Sequence, residues 1–270
     1  MTPLIITIYV FLFGAVIGSF LNVVIYRIPR GKSIAFPPSS CPNCGAKIRP
    51  WHNIPILGYI ALLGKCYDCR QPISMRYPLN ELANATFYVA VLQRTGIGLG
   101  FVLICAIVSM TIALIHIDAE VQILPDVIDL PGVAIGLIAA ATGVSAMAPE
   151  LMLARTFTES LIGVAAGAGV LLAIALTYEL LRKMEGMGLG DVKMMAMIGS
   201  VTGWRPLLTI LTLASVTGAV MGIGIMVATR RADMKFALPF GVFLGIAFLI
   251  MLFFGEAIFA FAPALRFGAA

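Results

Sequence analysis

Long apolar stretches, most of them close to the length of a membrane-spanning helix, recur along this chain of 270 residues. A bilayer-spanning helix needs about 20 predominantly apolar residues, and 60% of the chain is hydrophobic while only 11% is charged. This composition excludes a soluble globular enzyme, a disordered chain and a small secreted disulfide-stabilised domain. The sequence therefore predicts an all-α polytopic membrane protein with about eight transmembrane helices.

The distribution of basic residues predicts how these helices are oriented. Cytoplasmic loops of membrane proteins collect Lys and Arg, and eight spans with both termini outside place 14 of the 18 basic residues in the cytoplasm. The net charge of +5 then reflects topology and not nucleic-acid binding. No basic segment precedes the first span, so we expect a retained helix and not a cleaved signal peptide. The predicted spans are 4–26, 81–93, 98–117, 130–147, 159–181, 191–203, 206–229 and 237–262.

One long polar segment follows the first span. Residues 27–80 contain eight of the 18 Lys and Arg, four of the five cysteines and eight prolines, a composition that favours loops over long helices. We therefore predict three parts: a first transmembrane helix (1–26), a cytoplasmic zinc-binding module (27–80) and a helical membrane catalytic domain (81–270).

The cysteines of the module form two CxxC pairs. Cys41 and Cys44 are separated from Cys66 and Cys69 by 21 residues, a pattern typical of a closed, tetrahedral four-thiolate site that holds structural Zn²⁺. Two disulfides or four unrelated thiols are the alternatives, and the predicted cytoplasmic location disfavours disulfides. Gly45 follows the first pair, where a positive φ is often needed.

Several carboxylates fall at the predicted cytoplasmic ends of spans, where a charge is costly. Asp118 ends one apolar run, Asp126 and Asp129 follow it, and Asp191 comes directly after the glycine-rich segment 186–190. Two carboxylates brought together favour opposite protonation states, so one serves as general base and the other as general acid. Asp118 and Asp191 are therefore predicted to activate water against a peptide carbonyl. The alternative is that Asp191 is only a helix N-cap and Asp118 only a solvated helix-end residue.

Three neighbours of Asp191 are candidate supporting residues. Gly188 and Gly190 are predicted to allow a close backbone approach and unusual backbone angles, and a helix N-terminus at Asp191 would favour its ionised form. Lys193 is predicted either to orient Asp191 or to contact an acidic substrate residue. Its alternative role is that of an ordinary cytoplasmic lysine.

In this order, the motifs resemble those of prepilin peptidases, the type IV leader peptidase family of membrane aspartyl proteases of the Gly-x-Gly-Asp type. The resemblance covers nearly the whole chain, and a weaker match lies at Pro239-Phe-Gly241. The segments that carry it are Gly18–Pro29, Cys41–Cys44 through Arg49–Pro55, Gly64–Arg70 through Arg76–Pro78 and Glu81, Ile117–Asp126, and Gly186–Lys193.

The resemblance implies the activity and its site. Such enzymes cut the basic leader from type IV prepilins or type II secretion pseudopilins after a glycine, at the cytoplasmic face of the bacterial inner membrane. Many then N-methylate the new N-terminus with S-adenosylmethionine. Carried over by motif, Asp118 and Asp191 are the catalytic aspartates, with Asp126 ranked third. No glycine-rich nucleotide-binding loop is present, so no residue is assigned to the methyl donor.

Two other functions are weighed against this one. An intramembrane-cleaving protease of the Gly-x-Gly-Asp type would use related chemistry within the bilayer. A transporter with a zinc-binding regulatory module would carry charges near the bilayer midplane and inverted repeats, whereas the carboxylates here cluster at one face. The expected partners are precursor proteins and the lipid bilayer, without nucleic acid.

Overall fold

The computed structural model describes residues 3–182, 188–229 and 238–262. Within these ranges the regular structure is helical, with two isolated β-bridges and no extended strand, which confirms the all-α prediction. The helices are α1 (Leu4–Arg27), α2 (Leu57–Ala61), α3 (Arg76–Thr95), α4 (Leu99–Val121), α5 (Asp126–Ala141), α6 (Val144–Met147), α7 (Phe157–Arg182), α8 (Leu189–Thr202), α9 (Leu207–Thr229) and α10 (Phe240–Phe261).

Five described helices are long and apolar enough to cross a membrane, which confirms the polytopic character of the chain. They are Leu4–Arg30, Leu99–Val121, Phe157–Leu181, Leu207–Ala228 and Phe240–Phe261. The count of eight stays a prediction because α5 has 16 residues and α8 has 14. At about 1.5 Å per residue neither helix reaches the roughly 30 Å of a bilayer's hydrocarbon core. With 20 residues α3 is long enough, but its polar and charged side chains make it much less apolar than the five helices named above.

Part of the predicted topology lies outside the described residues. The basic residues concerned are Lys183, Arg230, Arg231, Lys235 and Arg266, together with the side chain of Arg182. Gly186, the first residue of the glycine-rich segment, also lies outside them. The sidedness of the membrane domain therefore stays a prediction.

The chain divides into two compact units, Met1–Phe101 and Val102–Ala270. This division does not test the functional boundaries predicted at residues 26 and 80, which stay predictions. In the first unit α1 packs along α3. A Cβ on Gly18 of α1 would stand 2.7 Å from the Glu81 Cα of α3. The two backbones therefore approach so closely that only glycine fits.

Polar side chains join the same two helices. The Asn80 Nδ2 atom donates to Asn22 Oδ1 at 2.9 Å, and the Asn84 Nδ2 atom donates to the Gly14 carbonyl at 2.8 Å. Asn22 in turn donates to the Tyr77 carbonyl at 3.3 Å. Buried amides need such partners in an apolar environment, so this network accounts for the three buried asparagines of α1 and α3.

The centre of the second unit is α8, which packs against α5, α7 and α10. Val192 and every residue from Met194 to Thr202 are buried. A helix this short is therefore surrounded largely by protein, which explains how it can be apolar without the length of a membrane span. On one side of the unit α9 packs along α10.

Candidate active site and metal centre

Asp118 lies near the C-terminal end of α4 and faces the first turn of α10. Its side chain is buried, with a relative exposure of 5%, so the alternative of a solvated helix-end residue is wrong. The Val242 N–H donates to Asp118 Oδ2 at 3.0 Å. Because the N-terminus of a helix carries a partial positive charge, α10 both orients and stabilises the carboxylate.

Asp191 lies in the first turn of α8, and Gly188 occupies the N-cap position. The alternative that Asp191 is itself the N-cap is therefore wrong. The surroundings of the two aspartates meet at Leu124: a Cβ on Gly190, the residue before Asp191, and a Cβ on Gly241, which would touch Asp118 Oδ2, would both press on the Leu124 side chain. The charge of Asp118 also acts on the Asp191 carboxyl group. The structure thus brings together the two aspartates that the sequence places 73 positions apart.

The two glycines before Asp191 differ in how well they match the prediction. Gly188 has φ −70° and ψ 140°, an ordinary extended conformation, so the prediction of unusual backbone angles was wrong there; the residue simply leads into the helix. The predicted close approach is confirmed at Gly190, where a Cβ would stand 2.9 Å from the Leu124 Cβ. Leu124 follows α4, so Gly190 lets the start of α8 lie against the chain beyond Asp118.

Lys193 forms an ion pair with Asp126 and not with Asp191. Its Nζ atom lies 2.6 and 2.8 Å from the two carboxylate oxygens of Asp126, at the start of α5. The two side chains are 37% and 56% exposed, so the pair adds little stability, at most about 1 kcal/mol. It ties the start of α5 to α8 within reach of solvent.

Asp129 belongs to the same cluster, although the sequence analysis gave it no role. It lies one helical turn after Asp126, has no exposed surface, and neither carboxyl oxygen has a hydrogen-bond partner among the described residues. It interacts electrostatically with Asp126, Lys193 and Asp191. The sequence does contain a pattern that indicates this proximity: Asp126 and Asp129 are three residues apart, and residues at i and i+3 of a helix share a face.

Gly241 is the other site residue without a role in the sequence analysis. A Cβ at this position would stand 2.9 Å from Asp118 Oδ2 and 3.1 Å from Leu124 Cδ1. The side chain of any other residue would therefore press on the carboxylate. The weak family match at Pro239-Phe-Gly241 was the sequence signal, but it indicated no contact with Asp118.

The four cysteines of the CxxC pairs cluster in the first unit. Their sulfur atoms all lie within 4.8 Å of one another, and the Sγ atoms of Cys41 and Cys69 are 3.8 Å apart. A zinc ion surrounded tetrahedrally by sulfurs at about 2.3 Å keeps them about 3.8 Å apart. All four are free thiols, so the alternative of two disulfides finds no support. The cluster fits a four-thiolate metal site.

The local backbone prepares these thiols for a metal. The backbone N–H of Gln71 lowers the pKa of Cys69 to about 7, and the N–H of Cys44 lowers the pKa of Cys41. For Cys44 the N–H of Ala46 has the same effect, but desolvation and the sulfurs of Cys41 and Cys69 outweigh it and raise the pKa to about 11. Four thiolates so close together repel one another, and a bound cation removes that cost.

The two CxxC turns share one backbone hydrogen bond and a positive φ at the residue after the second cysteine. Gly45 donates its N–H to the Cys41 carbonyl at 2.9 Å, and Arg70 donates to the Cys66 carbonyl at 3.0 Å. Both residues have positive φ, +72° at Gly45 and +59° at Arg70. The prediction for Gly45 is confirmed, and the second turn holds an arginine in the conformation that glycine adopts more readily.

Comparison with known families agrees with this geometry. The Bacterial Peptidase A24 N-terminal domain matches residues 12–95, and the Type IV leader peptidase family matches residues 105–223. The chain therefore belongs to the type IV leader peptidase family. This membership excludes the transporter interpretation. No solved structure matches the chain significantly.

Curated relatives match over nearly their full length. Proteins named prepilin leader peptidase/N-methyltransferase from Pseudomonas putida and Pseudomonas aeruginosa are each 35% identical to the chain. The alignments cover 92% and 95% of this chain, and 90% and 93% of those proteins. A protein of the same name from Aeromonas hydrophila is 35% identical, with 92% of this chain and 91% of that protein covered.

The close contact between Gly241 of α10 and Asp118 predicts that one methyl group added at Gly241 disturbs the active site. We expect Gly241→Ala to displace the Asp118 carboxylate and to lower kcat for precursor cleavage at least about tenfold, because even small misplacements of a reacting group are costly. Cleavage of a purified precursor by the variant in detergent measures this effect.

The matched control is Gly224→Ala in α9, where a Cβ meets no atom within 4 Å. This variant should cleave at the normal rate and be as stable as the parent protein. Normal kcat for Gly241→Ala would contradict the assigned contact.

Proposed function

We propose that this chain is a prepilin leader peptidase and N-methyltransferase in which Asp118 and Asp191 are the catalytic pair. The observation that carries the proposal is that the ends of α4, α8 and α10 converge on Leu124, with Gly190 beside Asp191 on one side and Gly241 beside Asp118 on the other. Asp118 is buried there and held by a backbone N–H of α10. Membership of the type IV leader peptidase family supports the same assignment.

The chemistry follows from two carboxyl groups that share one site. One group, ionised, takes a proton from water as the oxygen attacks the scissile carbonyl carbon. The other, protonated, donates to the carbonyl oxygen as the tetrahedral intermediate forms. The intermediate then collapses, the C–N bond breaks, and the departing amine receives a proton from the pair. No covalent enzyme intermediate is needed.

Supporting roles are proposed for the residues around the pair. Gly188 and Gly190 lead into α8 and let Asp191 approach the end of α4. Asp126 and Lys193 neutralise each other beside the pair. The ion pair ties α5 to α8 and so helps to hold the helix that carries Asp191.

The substrate is a membrane-anchored precursor. An apolar pilin helix can lie in the bilayer while its basic leader stays in the cytoplasm, so the bond after the leader reaches the depth of carboxylates at the ends of spans. We place the active site and residues 27–80 at the cytoplasmic face of a bacterial inner membrane. The excess of basic residues in 27–80 supports this orientation.

The four cysteines are proposed to hold a structural zinc ion. Cys41, Cys44, Cys66 and Cys69 offer four thiolates at the spacing of a closed tetrahedral site. Between α1 and α3, the regular structure around them consists only of the short helix α2, two 3₁₀ turns and two isolated β-bridges. Metal binding would therefore supply much of the free energy that folds this segment.

Substitution of either catalytic aspartate tests the peptidase assignment. We expect Asp118→Asn and Asp191→Asn each to reduce precursor cleavage by about 10²–10⁴-fold, the usual worth of a general acid or base. Glu179→Gln, an exposed position on α7, is the control that should cleave normally. Full cleavage by either aspartate variant would refute the assignment of Asp118 and Asp191 as the catalytic pair.

Metal analysis tests the zinc assignment. The purified protein should contain about one zinc per chain, and the double variant Cys41→Ser, Cys44→Ser should lose it and become protease-sensitive within residues 27–80. Cys105→Ala, a buried cysteine outside the cluster, should keep the metal. Zinc content should also fall on acidification, because protonated thiols bind metal poorly. Full zinc content in the double variant would exclude these ligands.

Methyl transfer is tested with S-adenosylmethionine labelled on its methyl group. The parent protein should cleave the precursor and then label the new N-terminus. Asp191→Asn should leave the intact precursor unlabelled but should still methylate a product supplied already cleaved. Complete cleavage without any label on the product would refute the methyltransferase function.

A further inference from the structure

A cavity of about 810 Å³ lies within the first unit. Small-molecule sites in proteins usually enclose about 300–1,000 Å³. The C-terminal half of α1 and the N-terminal half of α3 supply part of the lining, through Asn22, Val23, Tyr77 and Glu81, and the cysteine-bearing segment between them supplies the rest. Nothing in the peptidase chemistry uses this space.

We propose that this cavity binds the methyl donor S-adenosylmethionine, with Glu81 facing its positively charged sulfonium group. The inference rests on the proposed methyltransferase function and adds a location to it. A methyl donor needs a carboxylate or aromatic faces for its cation, aromatic surface for its adenine, and basic groups for its carboxylate. The lining offers all three kinds of group.

Glu81 is the acidic group fixed in the wall. It is 7% exposed, and its Oε2 atom accepts the Ile56 N–H at 2.7 Å, with the Ser19 side chain as a second hydrogen-bond partner. Ile56 makes this bond with φ +61°, a costly conformation for a β-branched residue. No basic side chain pairs with Glu81 among the residues that the structure describes. A buried carboxylate held in this way favours a cationic ligand.

The other walls carry aromatic and basic groups. Aromatic faces stabilise compact cations by cation–π interaction and stack on planar bases. Arg49 lies at the rim, with its guanidinium 4.2 Å from the Tyr67 ring and 3.6 Å from Asp68, and guanidinium groups bind carboxylates. The aromatic side chains of the lining are Tyr26, Phe36, His52, Tyr59, Tyr67 and Tyr77.

The charge balance favours the methyl donor over the basic leader of a precursor. Four lining residues are basic and two are acidic, Asp68 and Glu81, so a peptide rich in Lys and Arg would be repelled overall. S-adenosylmethionine carries both signs of charge and can match both. The sequence also has no glycine-rich phosphate or nucleoside loop, so a nucleoside must be held by a side-chain cavity of this kind.

Equilibrium binding to the full-length protein in detergent tests the site without relying on activity. The probes are S-adenosylmethionine, sinefungin, which has an amine in place of the methylsulfonium, and S-adenosylhomocysteine, which has a neutral thioether. Glu81→Gln should weaken the two cationic probes about tenfold or more, the scale of one lost charged contact, and the neutral probe less than about threefold. Equal effects on all three probes would overturn the role of Glu81.

A second variant tests the location independently of Glu81. Val23→Phe fills the cavity from α1 and should abolish binding of all three probes. Its control is Val16→Phe on the same helix, which is 54% exposed and does not line the cavity. Both variants should retain zinc and precursor cleavage, which shows that they are folded.

The outcomes distinguish a wrong cavity assignment from a wrong methyltransferase function. Unchanged probe binding by Val23→Phe, in a parent protein that does methylate its product, would place the donor elsewhere and overturn the inference alone. A parent protein that binds none of the probes and transfers no methyl group would overturn the methyltransferase function as well.

Discussion

The burial of α8 is the constraint on which the second unit depends. A helix of 14 residues is too short to span the hydrocarbon core of a bilayer, so it must be enclosed by other helices. Enclosure by α5, α7 and α10 fixes its first turn, and that turn carries Asp191. The position of one aspartate is therefore set by packing over the whole length of a helix and not by a flexible loop.

Three helix ends meet around the proposed catalytic pair. The C-terminal end of α4 brings Asp118, the first turn of α8 brings Asp191, and the first turn of α10 contributes the N–H of Val242. The start of a helix attracts negative charge, so two of these ends offset part of the cost of placing carboxylates near each other. The arrangement needs small residues at the meeting point, which Gly190 and Gly241 provide.

Sequence patterns predicted the parts of the site that have a local signature. The CxxC pairs revealed the cysteine cluster, because each pair brings two sulfurs together within one turn. Asp118 and Asp191 were identifiable because charges are rare beside apolar runs, and the family motifs agreed. Contacts between distant segments had no such signature: Gly241 is 123 positions from Asp118, and its role depends on how α10 packs.

Backbone geometry was also beyond the sequence at several positions. The glycine-rich segment suggested unusual angles at Gly188, yet the residue is extended, while Arg70 adopts a positive φ that its type disfavours. Arg70 has this φ because its N–H donates to the Cys66 carbonyl, as the Gly45 N–H does to Cys41 in the first CxxC turn. The conformational preference of arginine alone would not predict it. Likewise, the sequence pattern around Asp129 is that of a carboxylate near a helix end, whereas the structure buries the residue completely.

The contact between α1 and α3 has a further consequence for the first unit. Gly14, Gly18 and Asn22 recur every fourth residue and form one stripe along α1, and each of them lies against α3. A slip of one helical turn, about 5.4 Å, would set an asparagine against a space made for glycine. The stripe therefore locks the register of the two helices, as a buried asparagine does in a coiled coil. With that register locked, Glu81 keeps its place beside Gly18, and the walls that α1 and α3 contribute to the cavity stay aligned with each other.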